Sequence, residues 1–248
     1  MRSVNRILML SLLLTGFLAV FISSCKKDED TPPQDTGTVT DRDNNVYHTV
    51  KIGSYVWMVE NLRVTHYNDG SPILNLDDNT AWQNDTTGAY CWYGNDAASA
   101  AGNPYGGLYN WYAVNSGKLC PAGWHIPTMQ EWDNLTSYSG GTSGTGGAGG
   151  TSGETSGSAL KEAGTEHWNA PNTGATNSSG FTAVAGGYRY SNGEFRSLKD
   201  VACWWCSSED YSGKVYMFYL SYNSEAMSGG QAGKGAGLSV RCVKDVTP

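Results

Sequence analysis

The large aromatic side chains of this chain come in clusters broken every few residues by glycine, and that pattern restricts its fold more than any other feature. Nine aromatics, Trp82, Tyr90, Trp92, Tyr93, Tyr105, Tyr109, Trp111, Tyr112 and Trp124, fall within one stretch. From Gly180 onward Phe181, Tyr188, Tyr190, Phe195, Trp204, Trp205, Tyr216, Phe218 and Tyr219 are interleaved with Gly, Ser and Asn. Glycine makes up 32 of 248 residues and charged residues only 16%, which suits many turns and short buried strands rather than long surface helices. Strand and helix never alternate repeatedly, so a doubly wound parallel sheet is not expected. The expected class is α+β, with two short helices, small antiparallel sheets and long irregular loops.

Local patterns place the elements. Val46, His48, Val50 and Ile52 alternate with Tyr47, Thr49 and Lys51, a period of two that predicts a strand with one buried face. Tyr55-Val56-Trp57-Met58 starts a second strand, and Leu238, Val240 and Cys242 share one face of a closing strand. Thr128 and Glu131 form a capping box ahead of Trp132, Leu135 and Tyr138, whose helical spacing directs all three to the core. A second helix is expected from Ser158 to Ala163, ended by Gly164. Between these helices, residues 140–157 hold nine Gly and seven Ser or Thr and read as a surface loop.

The amino terminus reads as an address. Arg2 and Arg6 precede an uncharged run from Ile7 to Ile22, shorter than the ~20 residues a bilayer crossing needs. Ile22-Ser23-Ser24-Cys25 resembles a bacterial lipobox, so residues 1–24 are expected to be a lipoprotein signal peptide and Cys25 the acylated, palmitate-bearing attachment point. Residues 25–37, with the acidic Asp28-Glu29-Asp30 and Pro32-Pro33, are expected to form a flexible tether to a single domain over 38–248. The acidic cluster also resembles the surface-export signal of Bacteroidota lipoproteins. The expected location is the cell envelope, as a surface-exposed outer-membrane lipoprotein. A net charge of −7 gives nothing to neutralise a phosphate backbone, and cleavage removes two further cations, so nucleic acid is not an expected partner.

Motifs for catalysis or cofactors are weak. Asp41, Asp43 and Asn45 match the first three positions of a calcium loop, but Val46 and Ile52 stand where Gly and Glu are required. Gly144–Gly149 matches a dinucleotide fingerprint without a preceding strand, and Gly233-Lys234-Gly235 fails as a phosphate loop, so no nucleotide is expected. His48, His66, His125 and His167 lack metal-ligand spacing, and His125 is expected to be packed rather than an acid or base. No cofactor, metal or catalytic residue is expected. Tyr and Trp among Asn and Asp could stack on sugar rings, although most are expected to be core.

Several long words resemble one family, namely Asp43–Gly53, Trp57–Leu62, Tyr90–Tyr93, Gly107–Val114, Leu119–Pro127, Trp204–Glu209 and Ser239–Val243. They look like the Fibrobacter succinogenes major paralogous domain, typically carried by lipoproteins and secreted proteins of Fibrobacter and Bacteroidota, and the likeness runs from about residue 38 to 246. A broader likeness, carried by His125–Trp132 and Gly237–Arg241, is to C-type-lectin-like folds including the formylglycine-generating enzymes. It implies two helices on a small antiparallel sheet, with the termini close together.

The lectin-like resemblance implies a disulfide between Cys120 and Cys242, leaving Cys91, Cys203 and Cys206 unassigned. In the formylglycine-generating enzymes a cysteine pair serves copper chemistry, which makes Cys203 and Cys206 the enzymatic candidates. If Cys203–Cys206 is a strand, however, the two sulfurs point to opposite faces. The leading expectation is a non-enzymatic lectin-like binding or interaction domain for carbohydrate or a surface protein, with Tyr211, Tyr216, Tyr222 and Asn223 as ligand-facing residues. Alternatives are a copper-dependent oxidase at Cys203 and Cys206, and a structural cell-surface component.

Overall fold

The computed structural model describes residues 34–96, 103–140, 151–152 and 155–246. The expected signal segment and the expected attachment point Cys25 lie outside the described residues. In chain order the elements are β1 (Gln34–Thr40), β2 (Val46–Ile52), β3 (Tyr55–Met58), β4 (Leu74–Asn75), α1 (Asn79–Asn84), β5 (Ala89–Cys91), β6 (Leu108–Tyr109), α2 (Trp111–Val114) and α3 (Met129–Tyr138). Then follow β7 (Thr151–Ser152), α4 (Ser156–Leu160), β8 (Tyr188–Arg189), β9 (Phe195–Arg196), β10 (Val201–Glu209), β11 (Val215–Ser221), β12 (Met227–Ala232) and β13 (Val243–Asp245). Among the described residues this is an α+β arrangement of small, mostly antiparallel sheets with four short α-helices rather than two. The two unforeseen helices, α1 and α2, start where the Asp78 and Asn110 side chains accept the amides of Ala81 and Ala113.

One sheet runs β1-β2-β3-β13 and so joins the first and last strands of the described domain. Gln34–Gly37, expected in the tether, already belong to β1. A second sheet, β10-β11-β12-β7, divides two hydrophobic cores. Because successive side chains of a strand alternate, β10 sends Cys203 and Trp205 into one core with Tyr109, Trp111 and Cys242. Trp204 and Cys206 enter the other, with Trp57, Trp132, Phe181 and Phe218. Of the aromatics between Trp82 and Trp124, five are buried: Trp82, Tyr90, Trp92, Tyr109 and Trp111.

Strand β2 corrects the expected one-face pattern. Val46 and His48 are exposed while Tyr47 and Thr49 are buried, and the phase reverses so that Val50 and Ile52 are buried in turn. Tyr47 joins the first core, and Val50 and Ile52 join the second, so the strand crosses from serving one to serving the other.

Helix α3 has the capping box in full: the Glu131 amide donates to Thr128 Oγ1 at 3.3 Å, and Glu131 Oε2 accepts from the Thr128 amide at 2.7 Å. Trp132 stacks on Phe218 with centroids 5.3 Å apart, and Leu135 is buried beside it. Tyr138, in the last turn, instead lies over Gly53 and stays 40% exposed. Helix α4 begins two residues before the expected start, inside the Gly/Ser/Thr-rich segment, and stops at Leu160. Lys161 leaves the helix in an extended conformation, and its ammonium donates to the carbonyls of Thr173, Ser221 and Ser224 at 2.8–3.2 Å.

Among the described residues Lys161 is one of three fully buried cations, and they fasten the loops. Arg241 donates to Asn61 Oδ1 and to the Phe181 carbonyl, with its guanidinium 4.1 Å from the Phe181 ring centroid. Arg189 donates to the carbonyls of Gly193, Leu76 and Asp77 and to Asn79 Oδ1, between the rings of Trp82 and Phe195. These cations donate to backbone carbonyls and to the amide oxygens of Asn61 and Asn79, and the two guanidinium groups lie over ring faces. Irregular backbone needs such partners because its carbonyls have no ladder to join.

Candidate ligand cleft

The β10-β11-β12 sheet opens on its first-core side into a cleft of about 410 Å³. Antiparallel register sets Cys203 opposite Tyr219 and Trp205 opposite Met217, so Val201, Cys203, Met217 and Tyr219 form the floor. Tyr188, Tyr190 and Ser191 stand on one side, and Gln231, Ala232 and Gly233, at the end of β12, on another.

The tyrosine wall is held from behind by the Arg189 network. Arg189 and Gly237 also exchange backbone hydrogen bonds at 2.8 and 2.9 Å, closing β8 against the segment that carries Ala236 and Leu238 of the lining. Glycine is required at 237, since a Cβ there would sit 2.8 Å from the Trp82 ring.

Within the cleft the Tyr188 and Tyr190 rings meet edge to face, with centroids 5.1 Å apart at 89°, and Tyr188 Oη donates to Tyr190 Oη at 3.3 Å. Tyr190 is 46% exposed. Burial, helped by the bond to Tyr190, pushes the Tyr188 hydroxyl up to about 12, and burial alone does the same to the Cys203 thiol. Gln231 Nε2 donates to Asp210 Oδ2 at 2.6 Å, which fixes the amide at the rim. No Asp, Glu, His, Lys or Arg is in the lining, so the cleft presents phenol rings, hydroxyls and an amide without formal charge at neutral pH.

A smaller hollow of about 270 Å³ lies beside Cys120, lined by Trp111, Ile126, His125 and Thr128 among others. His125 Nε2 lies 2.6 Å from Glu131 Oε1, while Glu131 Oε2 caps α3. His125 is thus a half-exposed partner of a capping carboxylate, less packed than its Trp and Ile neighbours suggest.

The four expected ligand-facing residues are not brought together. Tyr211 stands in the turn before β11, fully exposed, whereas Tyr222 and Asn223 follow that strand, roughly 20 Å away at about 3.3 Å per residue. Tyr216 and Tyr222 pack against the second core. None of the four lines the cleft. Its tyrosines, 188, 190 and 219, are in the sequence clusters, but their convergence depends on the pairing of β10 with β11 and on the Arg189–Gly237 bridge, which no local pattern announces.

The cysteines separate clearly. Cys120 and Cys242 are bonded, with Cα atoms 5.9 Å apart. Cys91, Cys203 and Cys206 are free and buried, and desolvation raises all three thiols, Cys206 to about 11. Cys203 and Cys206 sit on opposite faces of β10 in different cores, so these two sulfurs do not form a shared copper site. Among the described residues no group of three His, Cys, Asp or Glu is placed to hold a metal. Asp41 is spent on its own turn, accepting from the amides of Asp43 and Asn45 and from the Tyr47 hydroxyl. No helix among the described residues is long and apolar enough to cross a membrane.

No curated protein and no solved structure gives a significant match to the chain. The family model described as the Fibrobacter succinogenes major domain matches residues 50–244, which leaves β1 and the first half of β2 outside the matched region. With more than half of its length so matched, the chain belongs to the Fibrobacter succinogenes major domain family.

Proposed function

We propose that this protein is a surface-anchored lipoprotein whose single lectin-like domain binds carbohydrate in the tyrosine-lined cleft. The observation that carries the reading is the chemistry of that lining: ring faces for the apolar side of a sugar, with hydroxyls and the Gln231 amide for its rim. The volume, about 410 Å³, lies within the range of about 300–1,000 Å³ usual for ligand sites. The lining offers no paired acid and base, which favours binding over turnover. The lectin-like assignment is supported by the first and last strands sharing a sheet and by the disulfide from the segment before α3 to the end of the chain. The lipobox at Cys25 and the polar tether support anchoring on the outer membrane.

The test is a glycan array probed with the purified full-length lipoprotein in detergent. The expected outcome is selective binding that is lost in Tyr190→Ala without loss of the folded near-ultraviolet spectrum. Binding to no glycan, or binding that survives Tyr190→Ala unchanged, refutes the reading and turns attention to a protein partner or a structural role. Protease treatment of intact cells tests the location: a chain left whole on intact cells and digested after lysis is not surface-exposed.

A further inference from the structure

Resting on the carbohydrate reading of the cleft, we infer that the binding site continues past the cleft onto Tyr211 and that its ligand is an uncharged oligosaccharide long enough to touch both. Tyr211 is the most exposed large hydrophobic side chain among the described residues, at 113% of its reference area. A tyrosine so placed forgoes the hydrophobic stabilisation its ring could contribute in a core. It is also held in a fixed turn. Asp210 Oδ1 accepts from the Ser212 amide at 2.8 Å, the Ser212 hydroxyl at 2.7 Å and the Lys214 amide at 2.9 Å. The Asp210 amide donates to the Lys214 carbonyl at 2.8 Å, which closes the hairpin.

The turn is joined directly to the cleft. Asp210 Oδ2 receives the 2.6 Å hydrogen bond from Gln231, a cleft residue, so Tyr211 is one residue from a group that touches the lining. Glu209, the residue before, is tied to Lys234 Nζ at 2.9 Å and to Trp111 Nε1 at 2.8 Å, which pins the same hairpin end beside the Gly233 side of the cleft. An aromatic side chain on a hydrogen-bonded turn next to a tyrosine-lined cleft gives a second stacking position whose backbone is already ordered before binding.

Charge narrows the ligand class. The lining carries neither cation nor anion, and at the adjoining hairpin Glu209 and Asp210 are balanced by Lys234, which pairs with Glu209 at 2.9 Å, and by Lys214 in the same turn. The chain as a whole is at −7. Uronic or sulfated sugars would find no arginine or lysine in the lining to receive their charge. The ring-face and amide chemistry suits neutral hexose or pentose units.

The experiment titrates full-length protein in detergent with neutral gluco-, manno- and xylo-oligosaccharides from one to six units, and with oligogalacturonates of matched length. Affinity for the matching neutral series is expected to rise with length, and Tyr211→Ala should remove that rise, an effect of about fivefold to tenfold on the longer members with short ones unchanged. Tyr190→Ala should weaken every length. Equal loss at all lengths in Tyr211→Ala, or no loss at any length, overturns the extended site while leaving the cleft reading intact. Preference for the oligogalacturonates overturns the neutral class. Absence of binding throughout the neutral and acidic series overturns both.

Discussion

Replacing Cys120 and Cys242 together by alanine tests how a fold so rich in loops is held. The bond closes a loop with a sequence separation of 122, for which chain-entropy arguments give a stabilisation of about 5 kcal/mol, exerted on the unfolded chain. Both sulfurs are buried in the first core, so their removal adds a packing loss of roughly 1 kcal/mol. The native geometry at this point does not depend on the bond alone. His125 and Val243 exchange backbone hydrogen bonds at 2.9 Å, joining the segment after Cys120 to β13. The variant is therefore expected to remain folded at 25 °C with the wild-type circular dichroism spectrum. Its urea midpoint should fall by roughly 2 M or more, taking an unfolding slope of about 1–3 kcal/mol per molar. The slope itself should increase, because an uncrosslinked denatured chain exposes more surface. A loss below about 2 kcal/mol at unchanged slope would refute the entropic account, and loss of the native spectrum would show that the ladder at His125 is insufficient without the bond.

Lys161 sets an alkaline trend. Burial lowers its pKa from 10.5 to about 8 in the folded chain, so between those values the unfolded chain holds the extra proton and stability rises with pH. The expected gain from pH 8 to 9.5 is about 2 kcal/mol, read from urea unfolding, and Lys161→Met should lack it; an equal slope in the variant removes Lys161 as the cause. Two glycines separate backbone cost from crowding. Gly213→Ala, at φ +77° with open space around it, should lose about 1 kcal/mol, whereas Gly187→Ala would put a Cβ 2.5 Å from the Arg196 carbonyl and should lose clearly more, and equal thermal shifts would contradict this.

What was legible in the residues was mainly what local physics decides. The capping box at Thr128 and Glu131, the burial of Trp132 and Leu135, and the opposed faces of Cys203 and Cys206 follow from spacing alone. Tyr138, six residues after Trp132, lies about 120° round the helix from it at 3.6 residues per turn, so it falls at the edge of the buried stripe and stays exposed over Gly53. The phase reversal in β2 escaped a period-two reading because that reading assumes one core, and this strand serves two. Lys161, Arg189 and Arg241 look like surface residues in the sequence, since charge is seldom buried and their partners are carbonyls of loops distant along the chain. The cleft escaped for a related reason. Tyr188, Tyr219 and Gln231 converge only through pairing between segments 188–189, 201–209 and 215–232, while Tyr211 and Tyr222, both near β11, are held apart by its length.

The dividing strand β10 limits how relatives of this domain can diverge. Trp204 and Trp205 are neighbours in the chain yet serve different cores, so inserting or deleting one residue between Val201 and Trp205 would exchange the occupants of the two sides at once. Each bulky ring would then arrive in a space shaped for another, and the cleft floor at Cys203 would turn inward with them. Substitutions of matched volume are open to β10, but changes of length are not. Length variation within the family should therefore collect in the connections between strands, and the spacing from Cys203 to Cys206 should persist even where the cysteines themselves do not.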